Sequence, residues 1–452
     1  MEVSSMPCKA CPDFSDNNEY YLHDDEFLAR NEFSAARTAP TGVGRATVGL
    51  LGRMVNTEMM AKVSHDALIS LHPHRRPYVL TRSGNISTFK YATGTWSGDN
   101  ETSWRNLRGS VAIQLNSGIS LLQSTGADVG GFGGPVPCPE LFVRWVQLGV
   151  THSRFCIHAY KPTVADPSGA AATNTPWMHP AVLPVIRNAI KWRYRYLPYL
   201  NALNWRSHLY AEPPNAWLGW GEFESDPKVY APAQLEGYDA WFGAGQLLTI
   251  PALHEGETSR TVYLPRSGPH DTAVYYDLHP PHGGHSAGST ITLATPLEHI
   301  GLLAREGAAL LSGRDVVTIT AREGAPRTTP DGVSTRLVDE GGVVALDDYR
   351  AVEIFPGASG RQYAYTRTWV EDDGIAAEPA RAVVEITYSS VTDADADDQV
   401  VVRARFLEHE FKPLWGTRLH ILLPVGDTRT VLGAVPMARD GRTAFVVNVE
   451  VP

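Results

Sequence analysis

The chain has 452 residues, of which 43% are hydrophobic and 19% charged, the balance of a globular protein with a substantial core. Its length points to about three domains. A formal net charge of −10 argues against nucleic acid or another polyanion as partner, which would favour a basic face.

No apolar stretch approaches the roughly 20 residues needed to span a bilayer, so no membrane partner is expected. No basic region followed by an apolar run marks a signal peptide at this N-terminus, and localisation and oligomeric state stay open. The four cysteines, Cys8, Cys11, Cys138 and Cys156, are too few for a disulfide framework in so long a chain. Cys8 and Cys11 have the spacing of half a zinc or redox site, but no second pair follows them.

Up to about residue 245 the sequence alternates strand-like and helix-like segments. Asn56 to Leu71 has apolar residues on one helix face. Pro77 to Thr81 reads as a strand, with Arg82-Ser83-Gly84 at its end. Phe89 to Thr95 reads as a second strand, ending in Trp96-Ser97-Gly98-Asp99-Asn100. Trp104 to Leu115 is a predicted helix and Ile119 to Ser124 a strand, followed by the glycine-rich run Gly126 to Gly134. Glu140 to Leu148 is helix, Phe155 to His158 strand, and Pro180 to about Asn204 one long helix that absorbs the basic run Arg187 to Arg195. Polar and glycine-rich segments thus recur just past strand ends, the position of the site in a TIM barrel. A doubly wound sheet also binds ligands at strand ends. Dispersal of the candidate residues over at least four successive strand ends favours the barrel.

Beyond residue 245 short strand-like runs broken by Pro and Gly replace the helices, from Leu247 to Ala252 through Leu419 to Leu423. The predicted fold class is therefore α/β plus all-β: a partial (β/α)8 TIM barrel over 1–245, a proximal β-sandwich over 246–317 and a distal β-sandwich over 318–452.

Two acidic motifs carry the chemistry, Phe14-Ser15-Asp16-Asn17-Asn18-Glu19 and Trp96-Ser97-Gly98-Asp99-Asn100. A glycosidic bond is cut by two carboxyl groups, one attacking or activating water and one donating a proton. Taken alone, Asp99 stands in a common turn sequence and Asp16 in a polar run. Arg82 alone reads as a surface charge after a strand, His158 as a satisfied histidine at a strand end. The run Gly126-Ala127-Asp128-Val129-Gly130-Gly131 is a loop without the Lys-Ser/Thr ending of a P-loop.

In this order and spacing the motifs resemble glycoside hydrolase family 31, the α-glucosidase and α-xylosidase family. The matching text begins at Asp16-Asn17-Asn18-Glu19 and continues through Arg75 to Gly84 and Thr95 to Asn100. It goes on in Gly126 to Phe132, Glu140 to Trp145, Arg154 to His158, Arg193 to Tyr199 and Val262 to Pro265, and reaches Trp369 to Gly374. The resemblance implies a retaining enzyme with Asp16 as nucleophile and Asp99 as general acid/base. It implies Arg82 and His158 as donors to sugar hydroxyls, Asp128 as a pocket carboxylate supporting Arg82, and Trp96 and Phe132 as walls for the sugar ring. The implied substrate is a neutral α-glucoside or α-xyloside, with no metal and no organic cofactor.

Several departures accompany the match. Phe14 stands where the family often has Trp, and Asn17 where it often has Met. The family also places a β-sandwich and three barrel strands before the nucleophile. Measured against that pattern, the expectation is an N-terminally incomplete gene product, poorly soluble and inactive by itself. Two alternatives to a hydrolase remain, a carbohydrate-binding or accessory protein that has lost turnover, and an α-transglycosylase using the same intermediate.

Overall fold

The computed structural model describes residues 53–162, 166–167, 173–236, 238–313, 347–391, 399–439 and 442–452. It adds the strand segments β1 (Glu19–Tyr20), β2 (Ala46–Thr47), β16 (Arg336–Asp339) and β17 (Gly342–Ala345), paired antiparallel as β1–β2 and β16–β17. Asp16, Cys8 and Cys11 lie outside the described residues.

The first helix, α1 (Arg53–Leu71), turns Ala61 and Leu68, two turns apart, onto Val79, Tyr91 and Ala92. Four short parallel segments follow. Strand β3 (Leu80–Thr81) pairs with β4 (Gly94–Thr95), and β5 (Asp128–Val129) with β6 (Cys156–Ile157). A backbone bond from Thr95 N–H to the Ser124 carbonyl (2.9 Å) joins the pairs, and one from Arg154 N–H to the Thr125 carbonyl (3.1 Å) extends the second pair.

Helix α2 (Trp104–Ile119) crosses from β4 to β5, and Ser103 caps it by accepting from the Asn106 N–H. Helix α3 (Pro139–Gly149) crosses from β5 to β6. It starts on a proline, which needs no partner for an N–H it lacks. Leu141 to Leu148 are buried, and α3 packs against α4 (Leu183–Arg195). The buried Arg144 of α3 donates to the carbonyls of Thr295 and Pro296 (2.7 Å each) and Glu257 (3.1 Å). It thereby fastens the helical layer to the β unit that follows.

Three predicted elements are corrected. Phe89 to Thr95 is a strand only at Gly94 and Thr95, with Thr88–Lys90 forming a short 3-10 turn. Ile119 to Ser124 is not a strand: helix α2 takes in Ile119, Leu121 turns at φ 61°, and β5 begins only at Asp128. The single helix from Pro180 to Asn204 is two helices, α4 and α5 (Leu197–Tyr210), meeting at Tyr196. Pro198 has no N–H for the Tyr194 carbonyl and its ring crowds the preceding turn, so a new helix must begin there. The basic run lies in α4 as expected. Arg193 donates to the carbonyls of Val150 (3.0 Å), His152 (2.6 Å) and Ser153 (3.0 Å).

The next unit is a six-stranded sheet. It is built from β7 (Asn215–Trp217), β8 (Ala240–Phe242), β9 (Leu247–Ile250), β11 (Val274–Asp277), β12 (Gly284–Ser286) and β14 (Gly301–Arg305), in the order 12-11-14-9-8-7. The antiparallel pair of β10 (Ser259–Tyr263) and β13 (Thr290–Ala294) covers it around Trp241, Leu248, Tyr263 and Tyr275. Strands β8 and β9 flank residue 245 as antiparallel neighbours.

The last unit packs a sheet of β15 (Ala309–Ser312), β18 (Ala351–Ile354), β22 (Arg418–Leu422), β24 (Val435–Arg439) and β25 (Arg442–Asn448) on a second one. That second sheet holds β19 (Ala364–Glu371), β20 (Ala382–Ser390), β21 (Gln399–His409) and β23 (Thr430–Val431). Ile354, Leu419, Ile421 and Phe445 meet Trp369, Val384, Ile386 and Phe406 between the sheets, and Tyr199 and Leu203 of α5 extend that core toward the barrel part. The fold is thus a set of TIM-barrel strands and helices followed by β units, as the sequence predicted. Among the described residues no helix is long and apolar enough to cross a membrane.

Candidate active site

Asp99 sits in the loop that follows β4, five residues before α2. Its carboxylate is 47% exposed and lies 3.3 Å from an Nη of Arg82, itself 41% exposed and just beyond β3. Both side chains are therefore free to meet a ligand, and the loosely held pair carries little stability of its own. Gly98 makes the approach possible. It adopts φ +80°, and a Cβ there would stand 3.1 Å from the Arg82 Nε. On the α2 side of Arg82 a cavity of about 170 Å³ is lined by Arg82, Gly84, Trp96, Leu122 and, from α2, Ile113 and Asn116; Asp99 is not among its lining residues.

One strand further, Asp128 of β5 is fully buried. Its Oδ1 accepts from both terminal nitrogens of Arg154 at 3.4 Å, while Oδ2 has no hydrogen-bond partner. Burial pushes this carboxyl above the usual carboxylate range; Arg154 and His158 pull against that rise and Asp99 adds to it. Asp128 was expected to support Arg82. The structure pairs it with Arg154 instead, because both project from the adjoining parallel segments β5 and 154–157. Arg154 also stands 5.9 Å from the Trp96 ring centre, so Trp96, Arg154 and Asp128 form a contiguous row behind Asp99.

The remaining candidates meet on the far side. The rings of Phe132 and His158 are 5.2 Å apart, and His158 is exposed. The glycine-rich loop carrying Phe132 is tied to the Asp99 loop through Asn100. The Asn100 side-chain amide donates to the Asp128 carbonyl (3.0 Å), and the Asn100 backbone carbonyl accepts from Phe132 N–H (2.7 Å) and Gly133 N–H (3.1 Å).

Six of the seven candidates are thus gathered on the ends of four neighbouring parallel strands, and Asp16 is outside the described residues. Sequence reasoning did not foresee the part of Arg154 in pairing Asp128, nor of Asn100, Thr102, Asn174 and Lys161 in tying the loops. Arg154 and Asn100 stood in recognised motifs. The other three carried no signal, since a polar residue in a loop announces no partner. Among the described residues no three His, Cys, Asp or Glu side chains cluster as a metal site, and Cys138 and Cys156 are free thiols.

A carboxylate, an arginine and aromatic rings at parallel strand ends, backed by helices and followed by β units, define a modular barrel protein with its polar candidate residues at the strand ends. Residues 9–203 match the glycosyl hydrolases family 31 TIM-barrel domain, and residues 212–310 the glycosyl hydrolase family 31 C-terminal domain. The chain belongs to glycoside hydrolase family 31.

Among curated relatives, the Schizosaccharomyces pombe glucosidase 2 subunit alpha is 30% identical over 281 residues, 60% of this chain and 28% of that protein. Human neutral alpha-glucosidase C is 33% identical over 240 residues, 52% of this chain and 24% of that protein. The chain therefore spans well under half the length of these relatives. A Flavobacterium johnsoniae family 31 dextranase solved with glucose superposes with a TM-score of 0.64 at 18% identity, covering 84% of this chain and 42% of its own. An α-xylosidase from Xanthomonas citri gives 0.61 at 18% identity, covering 93% of this chain and 41% of its own. At that identity these two bear on the fold.

Proposed function

We propose that the chain is a retaining α-glycosidase acting on neutral α-glucosides or α-xylosides, with Asp99 as general acid/base and Asp16 as nucleophile. The observation that carries the reading is the placement of Asp99. It is a half-exposed carboxylate in the loop after β4, paired with Arg82, with Asp128, Phe132 and His158 on the next strand ends. Asp99 donates a proton to the leaving oxygen as Asp16 attacks the anomeric carbon, then takes a proton from the water that releases the sugar. Arg82 and His158 donate to sugar hydroxyls, and Trp96 and Phe132 flank the ring. Asp128, buried against Arg154, holds that arginine and the Trp96 wall in place. In this reading no step calls for a metal or organic cofactor. The catalytic unit ends ahead of β7, and two β units buttress it.

Family membership and the glucosidases among the relatives support a glycosidase. The test is incubation of the purified chain with aryl α-glucosides and α-xylosides, with the first-formed product anomer followed by proton NMR. Release of the α anomer first is the expected result of this reading; an insoluble or inactive chain would instead bear out the expectation drawn from the family pattern alone. The β anomer first would remove the retaining mechanism. Sugar binding without turnover would make the chain a carbohydrate-binding protein, and glycosyl transfer to an added sugar in preference to water a transglycosylase.

A further inference from the structure

We propose that Lys161 is a positioning residue whose ammonium fastens the loop bearing Asp99 to the loops bearing Phe132 and His158. The fastening stands on geometry; only its catalytic consequence rests on the reading of Asp99 as the acid/base.

Lys161 lies three residues past His158 and is only 4% exposed. Its Nζ donates to Thr102 Oγ1 at 2.7 Å and to the carbonyls of Gly133 and Pro135 at 3.0 Å each. An ammonium has three donors and no acceptor, so these neutral oxygens use all of its hydrogen-bonding capacity. Burial without an anion beside it lowers its pKa to about 8. A cation is retained in such a place at a cost in solvation, which surface attachment alone would not require.

The three oxygens belong to the two loops that frame Asp99. Thr102, three residues after Asp99, accepts from Lys161 and passes its own hydroxyl proton to the Gly130 carbonyl at 2.8 Å. Thr102 N–H also donates to the Gly133 carbonyl at 3.0 Å, and Tyr160 N–H to that of Phe132 at 3.0 Å. The loops close so tightly that a Cβ on Gly131, whose φ is +85°, would stand 2.4 Å from the Thr102 hydroxyl. Asn174, also buried, holds the other side of the glycine-rich loop through the Gly131 carbonyl at 3.0 Å. Asp99 itself, half exposed, has a loose contact with Arg82. The place of its carboxyl is therefore set by the base of its loop, and among the described residues Lys161 is the side chain that bonds that base to the glycine-rich loop from the strand end bearing His158.

The test is hydrogen–deuterium exchange on the full chain, comparing wild type with Lys161→Met, Thr102→Val and the conservative Thr102→Ser. Lys161→Met should raise exchange about tenfold or more in segments 98–103 and 130–135 while α3 and β20 keep their protection. Thr102→Val should do so more weakly, and Thr102→Ser should behave as wild type. Should Lys161→Met fail to fold, Thr102→Val decides the matter. Unchanged exchange in these segments, or acceleration spread evenly over the chain, overturns the proposal.

Kinetics on aryl and alkyl α-glucosides supplies a second readout. A mis-set acid should cost alkyl glucosides about tenfold more in kcat than activated aryl ones, whereas a purely structural defect lowers both alike. Local loosening with equal losses on both classes supports the fastening and overturns its consequence for the acid, whereas equal losses in Asp99→Ala itself would sink the acid role of Asp99. The two failures are thereby distinguishable.

Discussion

The barrel part and the distal β unit are held together in different ways. Strands β3 to β6 are two residues long each, whereas β20 and β21 run for 9 and 11 residues as antiparallel neighbours. In the distal unit, backbone ladders and one apolar layer account for the structure. Around Asp99 side chains add their own bonds: Asn100 to the Asp128 carbonyl of β5, and Thr102, Lys161 and Asn174 to carbonyls of the glycine-rich loop. A loop that must expose a carboxylate to a ligand cannot be zipped into a sheet, so it is bonded from beneath. Polar residues at such a site should govern activity, and polar residues of the distal core should govern stability.

The largest expected effect bears on the first half of that contrast. Replacing Asp99 with Ala should lower kcat/KM on alkyl α-glucosides by about 10²- to 10⁴-fold, and far less on aryl glucosides with activated leaving groups. The unfolding midpoint should hardly move, since Asp99 is half exposed and loosely paired. Equal losses on both substrate classes would count against Asp99 as the acid.

Glu371 probes the second half. It is buried in the distal unit and accepts from the Arg350 Nε (2.8 Å), Trp369 Nε1 (2.9 Å) and Trp415 Nε1 (2.9 Å). Burial works against its ionised form, but Arg350 and the two indoles outweigh it and hold the carboxyl below the usual range. Glu371→Ala should cost about 3–5 kcal/mol in denaturant unfolding, by leaving Arg350 buried without its main partner. Turnover per folded molecule should stay near wild type. A large fall in that turnover would erase the contrast between the two regions.

A smaller effect comes from pH. The buried His152 is pushed down to about 3 by burial and by Arg193, and His279 to about 4 by burial and by the stacked His299. Below about pH 6.5 the unfolded chain protonates both while the fold does not, so stability falls as pH drops toward those values. Asp239, raised to about 6 by burial, acts in the opposite sense, taking up its proton in the fold first. The three together should remove roughly 1.4 kcal/mol per pH unit between about pH 6 and 4. Urea melts across that range check it, and stability rising on acidification would contradict the assignment of buried neutral histidines.

How much was legible in the sequence follows the same contrast. The alternating burial of Ala382, Val384, Ile386 and Tyr388 in β20 is written in Ala-Val-Val-Glu-Ile-Thr-Tyr, and that strand was readable. Phe89 to Thr95 was not, because only Gly94 and Thr95 pair while Thr88 to Lys90 coil into a short 3-10 turn. Parallel partners arrive from distant sequence, and nothing local says where pairing begins. The motifs around Arg82, Asp99, Asp128 and His158 named the residues that the fold gathers. They did not disclose that Asp128 pairs with Arg154, since the segments carrying the two become neighbours only in the sheet. Lys161 was silent for the same reason: a lysine in a loop reads as solvated, and only packing reveals that it is buried.

The central claim is a pair of carboxyl groups placed for a retaining reaction. It is tested most directly by a crystal structure of the chain with a bound sugar, in which the distance between the carboxyls of Asp16 and Asp99 is measured. The account predicts about 5–6 Å across the anomeric carbon, close enough for one to attack while the other protonates. A separation of about 6.5–9.5 Å, with room for a water beneath the sugar, would mark an inverting pair and contradict it.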